Sequence, residues 1–392
     1  MPANALFFAL AAARLILLHV VYLYLPLFLD DQQVGGFLAG VLLSMFAITG
    51  FLSAFWSGLL TDRHPVGRLT AVGFACFALF AVGLCMSTSP AVLLICFLLG
   101  GLGNTLLEMS LTAYVLKIPQ PGAPRRLFGN YSLVLSLASA TGIIAGGFLL
   151  SGVGYRATFL ATIVGYSVLA GIALLLPTTR VAHSPLTEYA RDFQGRAMVL
   201  AVVGYLLVAL HRGAEITSLT PFVHDSLGLE PRHIGLFLGT ALPFLGLGGW
   251  LGARLVDRGV SYRRVAVVGL LLSGCGHIAF ALSNLPVAWP VRAVHELGDG
   301  LIWVTQLIAM HRVFPRDRAG GLASVMATAM ILGRFAGTLL FAPLGAAFGY
   351  AWPLALSGGL VIVGAAFLLP FFAEVQQRLR TPSALALPTV SD

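Results

Sequence analysis

Apolar stretches long enough to cross a bilayer follow one another along nearly the whole chain, separated only by short polar breaks. A helix needs roughly 20 such residues to span the hydrocarbon core. Repetition of this kind describes a polytopic α-helical membrane protein rather than a single anchor. The composition agrees, with 10% charged residues and 58% hydrophobic ones, against about 25% charged in a soluble domain.

The breaks divide the chain into twelve expected spans: Leu6 to Leu29, Val34 to Leu60, Leu69 to Met86, Ala91 to Leu116, Leu127 to Ser151 and Arg156 to Leu176, then Ala197 to Val223, His233 to Leu255, Val265 to Leu282, Val287 to His311, Ala319 to Ala342 and Trp352 to Ala373. Residues 1–176 and 197–373 therefore read as two six-helix bundles, joined by a polar linker at 177–196 and followed by a tail at 374–392. The tail has no helical period and reads as disordered. The expected fold class is an all-α polytopic membrane protein with 12 transmembrane helices in two pseudo-symmetric six-helix bundles.

Lys and Arg are retained on the cytoplasmic side of short loops. Here they concentrate in alternate breaks: Arg63 and Arg68; Lys117, Arg125 and Arg126; Arg180, Arg191 and Arg196; Arg258, Arg263 and Arg264; Arg312, Arg316 and Arg318; Arg378 and Arg380. The intervening breaks at Asp30-Asp31-Gln32-Gln33, Ser87 to Pro90 and Ser283 to Pro286 hold none, and Arg156 and Arg232 stand alone. Both termini and the linker are thus expected in the cytoplasm, with the protein in the inner or plasma membrane. The formal charge of +8 is spread over these loops rather than gathered into a face that could track nucleic acid. The first span is too long for a signal-peptide core and reaches Asp30 without a cleavage site, so it should remain as helix one.

Other chemistries lack their residues. Cys76, Cys85, Cys96 and Cys275 all fall inside apolar spans, with no metal-ligand spacing, and read as small core residues. A phosphate-binding loop needs G-x-x-x-x-G-K-[ST], and the single lysine, Lys117, follows Tyr-Val-Leu. No cofactor or metal is expected. Energy must come from an ion gradient or from the solute's own gradient.

The halves also repeat each other. Gly58-Leu-Leu-Thr-Asp62-Arg63 closes span two, and Ala253-Arg-Leu-Val-Asp257-Arg258 closes span eight, 195 residues later. Arg126 to Gly129 enters span five, and Arg318 to Gly321 enters span eleven, 192 residues later. Parallel six-helix repeats are one of the architectures of secondary transporters.

On these residues the chain resembles the major facilitator superfamily over almost its full length. Gly58-Leu-Leu-Thr-Asp62-Arg63-His-Pro-Val-Gly67-Arg68 is similar to that family's motif between helices two and three, with a weaker copy at Asp257-Arg258. The resemblance implies a cytoplasmic gate in which Asp62, Arg63, Arg68, Asp257 and Arg258 form a charge network. Gly67 lies two residues further from Asp62 than the family pattern places it. Two marks of drug exporters are incomplete: Phe97 stands where they carry a helix-four arginine, and Gly142-Ile-Ile-Ala-Gly146-Gly147 keeps the glycines of a helix-five motif without its proline. By resemblance the protein is a monomeric secondary transporter, not an enzyme. It would move a small organic molecule by proton-coupled alternating access, with export favoured and proton-coupled uptake of a polar organic solute as the alternative.

Charged side chains inside the spans carry the candidate chemistry, because each is costly in hydrocarbon and normally faces a cavity or a partner. They are Arg14, Glu108, Arg212, Glu215, Arg292, Glu296, Asp299 and Arg334, four of each sign. All but Arg334 fall in spans one, four, seven and ten, the helices that line the central cavity in the family. Depth along the spans lets Arg14 meet Glu108, gathers Arg212, Glu215, Arg292 and Glu296 in the outer third, and leaves Asp299 near mid-membrane with no arginine one turn away. The coupling proton is expected on Glu108, Glu215, Glu296 or Asp299.

Substrate-cavity candidates are Arg14, His19, Asn104, His211, Arg212, Arg292, His295, Trp303 and Arg334. His211 and His295 lie beside acids and can join a proton relay, whereas His19 and His277 read as helix-to-helix hydrogen-bonding residues. Tyr22, Tyr24, Trp303 and Phe335 would suit a polar or zwitterionic solute with an apolar part. The rival class is an intramembrane metalloprotease, since His295-Glu296-Leu-Gly-Asp299 is similar to H-E-x-x-H. It replaces the last histidine by aspartate, lacks a second ligand motif and leaves the repeat unexplained.

Overall fold

A computed structural model describes residues 3–380 except 23, 26, 27, 30, 31, 33, 35, 87, 88, 118–123, 179–183, 194, 220 and 230. Asp30, Asp31, Arg180 and the tail from 381 lie outside the described residues. The long helices are α1 (Ala3–Tyr22), α2 (Gly36–Arg63), α3 (Val66–Met86), α4 (Pro90–Lys117) and Pro124–Ala173, which breaks at Gly154 into α5 and α6. The second half holds α7 (Arg196–Ala214), α8 (Pro231–Asp257), α9 (Tyr262–Ala281), α10 (Leu285–Val313), α11 (Ala319–Phe348) and α12 (Ala351–Arg380). Eleven of these are long and apolar enough to cross a membrane. The twelfth, α10, is equally long but carries Arg292, His295, Glu296 and Asp299.

Gly154 has φ 76° and Gly349 has φ 91°. Both occupy the left-handed region that side-chain-bearing residues avoid. They reverse the chain between α5 and α6 and between α11 and α12, 195 residues apart. The repeat therefore extends to the turns, where a lone glycine gives too little sequence signal to be read.

Packing repeats as well. In the first half α2 and α3 pack on α4, and in the second α8 and α9 pack on α10. The halves meet along α5 with α8 and α2 with α11, which exchange places under the repeat. Small residues let these backbones approach. A Cβ on Gly246 would stand 2.9 Å from Leu133 Cα, and one on Gly58 would stand 2.6 Å from the Gly320 carbonyl oxygen. Within the second half, a Cβ on Gly300 of α10 would stand 2.7 Å from the Gly249 amide nitrogen of α8. Backbone cannot yield as a side chain can, and overpacking costs about 1–3 kcal/mol. Gly300→Ala should therefore lower the thermal midpoint of the purified protein by several degrees, as read by intrinsic fluorescence.

Several boundaries differ from expectation: α1 ends at Tyr22 rather than Leu29, and α11 runs to Phe348 rather than Ala342. α12 runs to Arg380 rather than stopping at Ala373, because Val375 is fully buried and Glu374 pairs with Arg378 one turn on, at 2.6 Å. The first residues of the expected disordered tail are thus helix. The linker also holds a short helix, Leu186–Asp192. Of the cysteines, Cys96 is buried while Cys275 is exposed on the helix surface, so the latter is no core residue.

Candidate functional site

The linker ends of the two bundles are clamped together at pseudo-equivalent places. Asp62, at the end of α2, is 0% exposed. Its Oδ1 accepts from the Gly320 amide at 2.9 Å and its Oδ2 from the Gly321 amide at 2.6 Å, both in the first turn of α11. A helix N-terminus offers unpaired N–H groups and a positive dipole end, so a carboxylate there is doubly favoured. Lys117 Nζ lies 2.7 Å from Asp62 Oδ1 and donates to the Thr61 carbonyl at 2.7 Å. The Tyr189 hydroxyl, from the linker helix, donates to Asp62 Oδ2 at 3.1 Å. Burial, with the adjacent Asp62 carboxylate, pushes the Tyr189 phenol up, so it stays a donor at physiological pH.

Asp257, the repeat of Asp62, ends α8 and meets Arg125 at 3.2 Å and Arg126 at 3.4 Å in the first turn of α5. Arg125 also donates to the Val256 carbonyl at 3.1 Å. A third link joins His311 Nδ1 on α10 to the Leu116 carbonyl on α4 at 3.3 Å. The expected gate is thus partly redrawn. Arg63 reaches the Ser184 carbonyl at 3.5 Å rather than Asp62, and Arg68 and Arg258 are exposed and stand outside both clamps. Their places beside the carboxylates are taken by Lys117, by backbone amides and by the arginines of α5.

In the first bundle Arg14 is buried and donates to Asn104 Oδ1 at 3.0 Å, with Glu108 at 3.9 Å. The Glu108 side chain is 41% exposed. His19 bonds the Leu15 carbonyl of its own helix at 2.8 Å. Trp303 is partly buried and packs against the apolar core.

The second bundle holds a charged cluster between α7, α9 and α10. At Glu215 the α-helix of α7 widens into a π-helical turn, Glu215–Leu219. Such turns shift the register of the side chains that follow and are frequent at functional sites. Glu215 accepts from Arg212 at 2.7 Å and from Arg292 of α10 at 2.6 Å. Arg292 also pairs with Glu296, and Arg212 pairs with Asp299. Asp299 indeed has no arginine one turn away on its own helix; its partner comes from α7, across the helix interface. Ser273 of α9 donates to Asp299 Oδ1 at 2.6 Å.

Three histidines complete the cluster. His295 Nδ1 lies 2.8 Å from the Ser273 carbonyl, and its Nε2 lies 3.2 Å from Glu215 Oε1 and 3.5 Å from Asp299 Oδ2. His211 repeats the pattern, with Nδ1 on the Val208 carbonyl and Nε2 3.4 Å from Asp299 Oδ2. His277 stacks on His295 at 4.6 Å between ring centroids, and its Nδ1 meets the Ser357 hydroxyl of α12 at 3.1 Å.

A carbonyl oxygen only accepts, so Nδ1 must carry the hydrogen in both His211 and His295. A neutral imidazole has one N–H, so each Nε2 would then turn a lone pair toward a carboxylate that also only accepts. Each contact closes when a proton is added to its ring nitrogen or its carboxylate. Charge points the same way: two arginines face three carboxylates, Glu215, Glu296 and Asp299, and one further proton makes the buried cluster neutral.

Paired six-helix bundles, clamped at one end and enclosing buried charge, define a polytopic membrane transporter rather than an enzyme. The chain belongs to the Major Facilitator Superfamily, whose family model matches residues 5–200 and again 201–389. It is 30% identical over 356 residues to a chloramphenicol resistance protein of Streptomyces lividans, covering 85% of this chain and 86% of that one. It is 28% identical over 188 residues to the multidrug resistance protein MdtH of Photorhabdus laumondii, covering 46% and 45% of the two chains. The fold matches the crystal structure of the human organic anion transporter MFSD10 (TETRAN), with a TM-score of 0.80 and 15% identity over 94% of this chain and 100% of that one. The protease reading of His295-Glu296-Leu-Gly-Asp299 falls with this assignment.

Proposed function

We propose that this transporter is a proton-coupled exporter of small organic molecules in the plasma membrane, with its linker and both termini in the cytoplasm. The observation that carries the reading is the charge of the buried cluster, where two arginines face three carboxylates and one exchangeable proton restores neutrality while supplying a donor that His211 or His295 lacks. With the linker ends clamped, the seam between the bundles opens away from the cytoplasm. A proton arriving from outside neutralises the cluster, and a neutral cluster tolerates the desolvation that accompanies closure on that side. Opening of the clamps then exposes the cluster to the cytoplasm, where the proton leaves and a solute enters for the return. The resistance role named for the two relatives supports export, since a carrier protects a cell from a drug by lowering its concentration inside.

The test is flux in proteoliposomes of known orientation, with a panel of aromatic antibiotics and organic acids. Solute should move against an imposed proton gradient, toward the acid side, and stop when nigericin collapses that gradient. Movement together with the proton would make the protein a symporter instead. Flux that ignores the gradient would sink proton coupling in either direction.

A further inference from the structure

Among the described residues, each of the eight charges singled out inside the spans has a partner of opposite sign or a neutral anchor, except Arg334. Arg14 is held by Asn104 and Glu108, and Arg212 and Arg292 by the carboxylates of the second bundle. Arg334 of α11 is exposed and, among the described residues, makes no ion pair. It stands 15 residues into a helix of 30, which is mid-membrane by the rise of an α-helix.

Its direction is fixed by its neighbours. Gly333 and Gly337 seat α11 on α7, where a Cβ at either would stand 3.1 Å and 3.0 Å from Leu206 C and Leu210 C respectively. Met330, one turn before Arg334 and on the same face, takes the Gln306 amide of α10 on its sulfur at 3.1 Å. α11 meets α2 of the other bundle through Ser324, whose hydroxyl lies 3.3 Å from the Phe55 carbonyl, and at roughly 3.6 residues per turn Arg334 falls between that face and the one seated on α7. The guanidinium therefore faces the seam between the bundles, the one mid-membrane setting in which an unpaired arginine can stay hydrated.

We propose that Arg334 is a binding subsite for the anionic group of an organic solute. The inference rests on the transporter reading above and adds a substrate class to it. A guanidinium presents a planar fork of donors that matches a carboxylate, sulfonate or phosphate in two parallel hydrogen bonds. The competing handle is Glu108, which would select cations. That carboxylate already has Arg14 beside it, and Arg14 is fixed by Asn104, whereas Arg334 has no counter-charge until a ligand brings one. An anionic solute also gains from a membrane potential negative inside when it moves outward, in the direction proposed for transport.

The experiment is a thermal-shift titration of the purified full-length protein in nanodiscs with a library of aromatic carboxylates, each paired with its amide and its amine. Carboxylates should stabilise the protein at concentrations at least tenfold lower than their amides and amines. Arg334→Gln should erase that ratio, and Arg334→Lys, which keeps the charge, should retain most of it. Stabilisation by the amines, an unchanged ratio in Arg334→Gln, or no stabilisation by any carboxylate would overturn the proposal. Failure of proton coupling would look different: carboxylates would still bind by charge, while flux ignored the pH gradient.

Discussion

Asp299→Asn should leave a transporter that folds and binds solute but no longer couples to protons. The substitution removes one of the three carboxylates that face Arg212 and Arg292, so the cluster is balanced without an added proton. The shape of the side chain is retained, and the amide can still accept from Ser273. With no group in the cluster that must gain and lose a proton in each cycle, gradient-driven accumulation should fall on the order of tenfold or more, about 1.4 kcal/mol of lost driving force or more, while solute exchange between equal compartments persists. Glu296→Gln offers the same charge change at a different seat. If Asp299→Asn transports against a gradient as well as the native protein does, Asp299 does not serve the coupling proton.

The second large effect is expected at the clamp. Asp62→Asn leaves the Lys117 ammonium, whose side chain is 1% exposed, buried without its anion. It also weakens the capping of α11, where Gly320 and Gly321 donate to the carboxylate. At a cost of about 3–5 kcal/mol, the clamped arrangement should lose on the order of 100-fold in population. Hydrogen exchange followed by mass spectrometry should show this as faster exchange in the peptides that hold the end of α2 and the start of α11. Adding Lys117→Met to Asp62→Asn removes the stranded charge and should recover part of the protection, giving a non-additive double-mutant cycle. Unchanged exchange in Asp62→Asn would mean that α5 and α8 hold that end closed without it.

Much of this architecture was legible before any coordinates, and the reasons are physical. A bilayer forces each span to be long, apolar and helical, so twelve segments stand out of the sequence; even α10, with its buried charges, is marked by its length. The cost of charge in hydrocarbon made Arg14, Glu108, Arg212, Glu215, Arg292, Glu296 and Asp299 visible as a set. Their pairing was only half legible. Helical spacing predicts neighbours on one helix, as for Arg292 with Glu296, but it is silent about the approach of Arg212 on α7 to Asp299 on α10. The π-helical turn that begins at Glu215 has no sequence mark that distinguishes it.

The gate shows the same division. Asp62 and Asp257 were found because they recur at the same place in each half. Lys117 was counted only as a loop charge, since its partner is 55 residues away in sequence, and the amides of Gly320 and Gly321 are backbone groups that carry no signature. Tyr189 lies in a linker that reads as polar connection, with nothing to show that its ring enters the clamp. Helical period likewise missed the extension of α12, because Val375 is apolar on its own and becomes informative only when the helix that buries it is known.

The central claim is that the α7–α10 cluster stores an exchangeable proton on its histidine and carboxylate atoms. Nitrogen-15 NMR of histidine-labelled protein in lipid tests it most directly, with His211, His277 and His295 assigned by single substitution. The account predicts that His211 or His295 gains an imidazolium signal when the cluster is protonated, that the signal disappears as the pH is raised, and that Asp299→Asn abolishes it. Neutral rings at all three positions across the whole pH range, with carbonyl shifts reporting every cluster carboxylate as ionised, would contradict it.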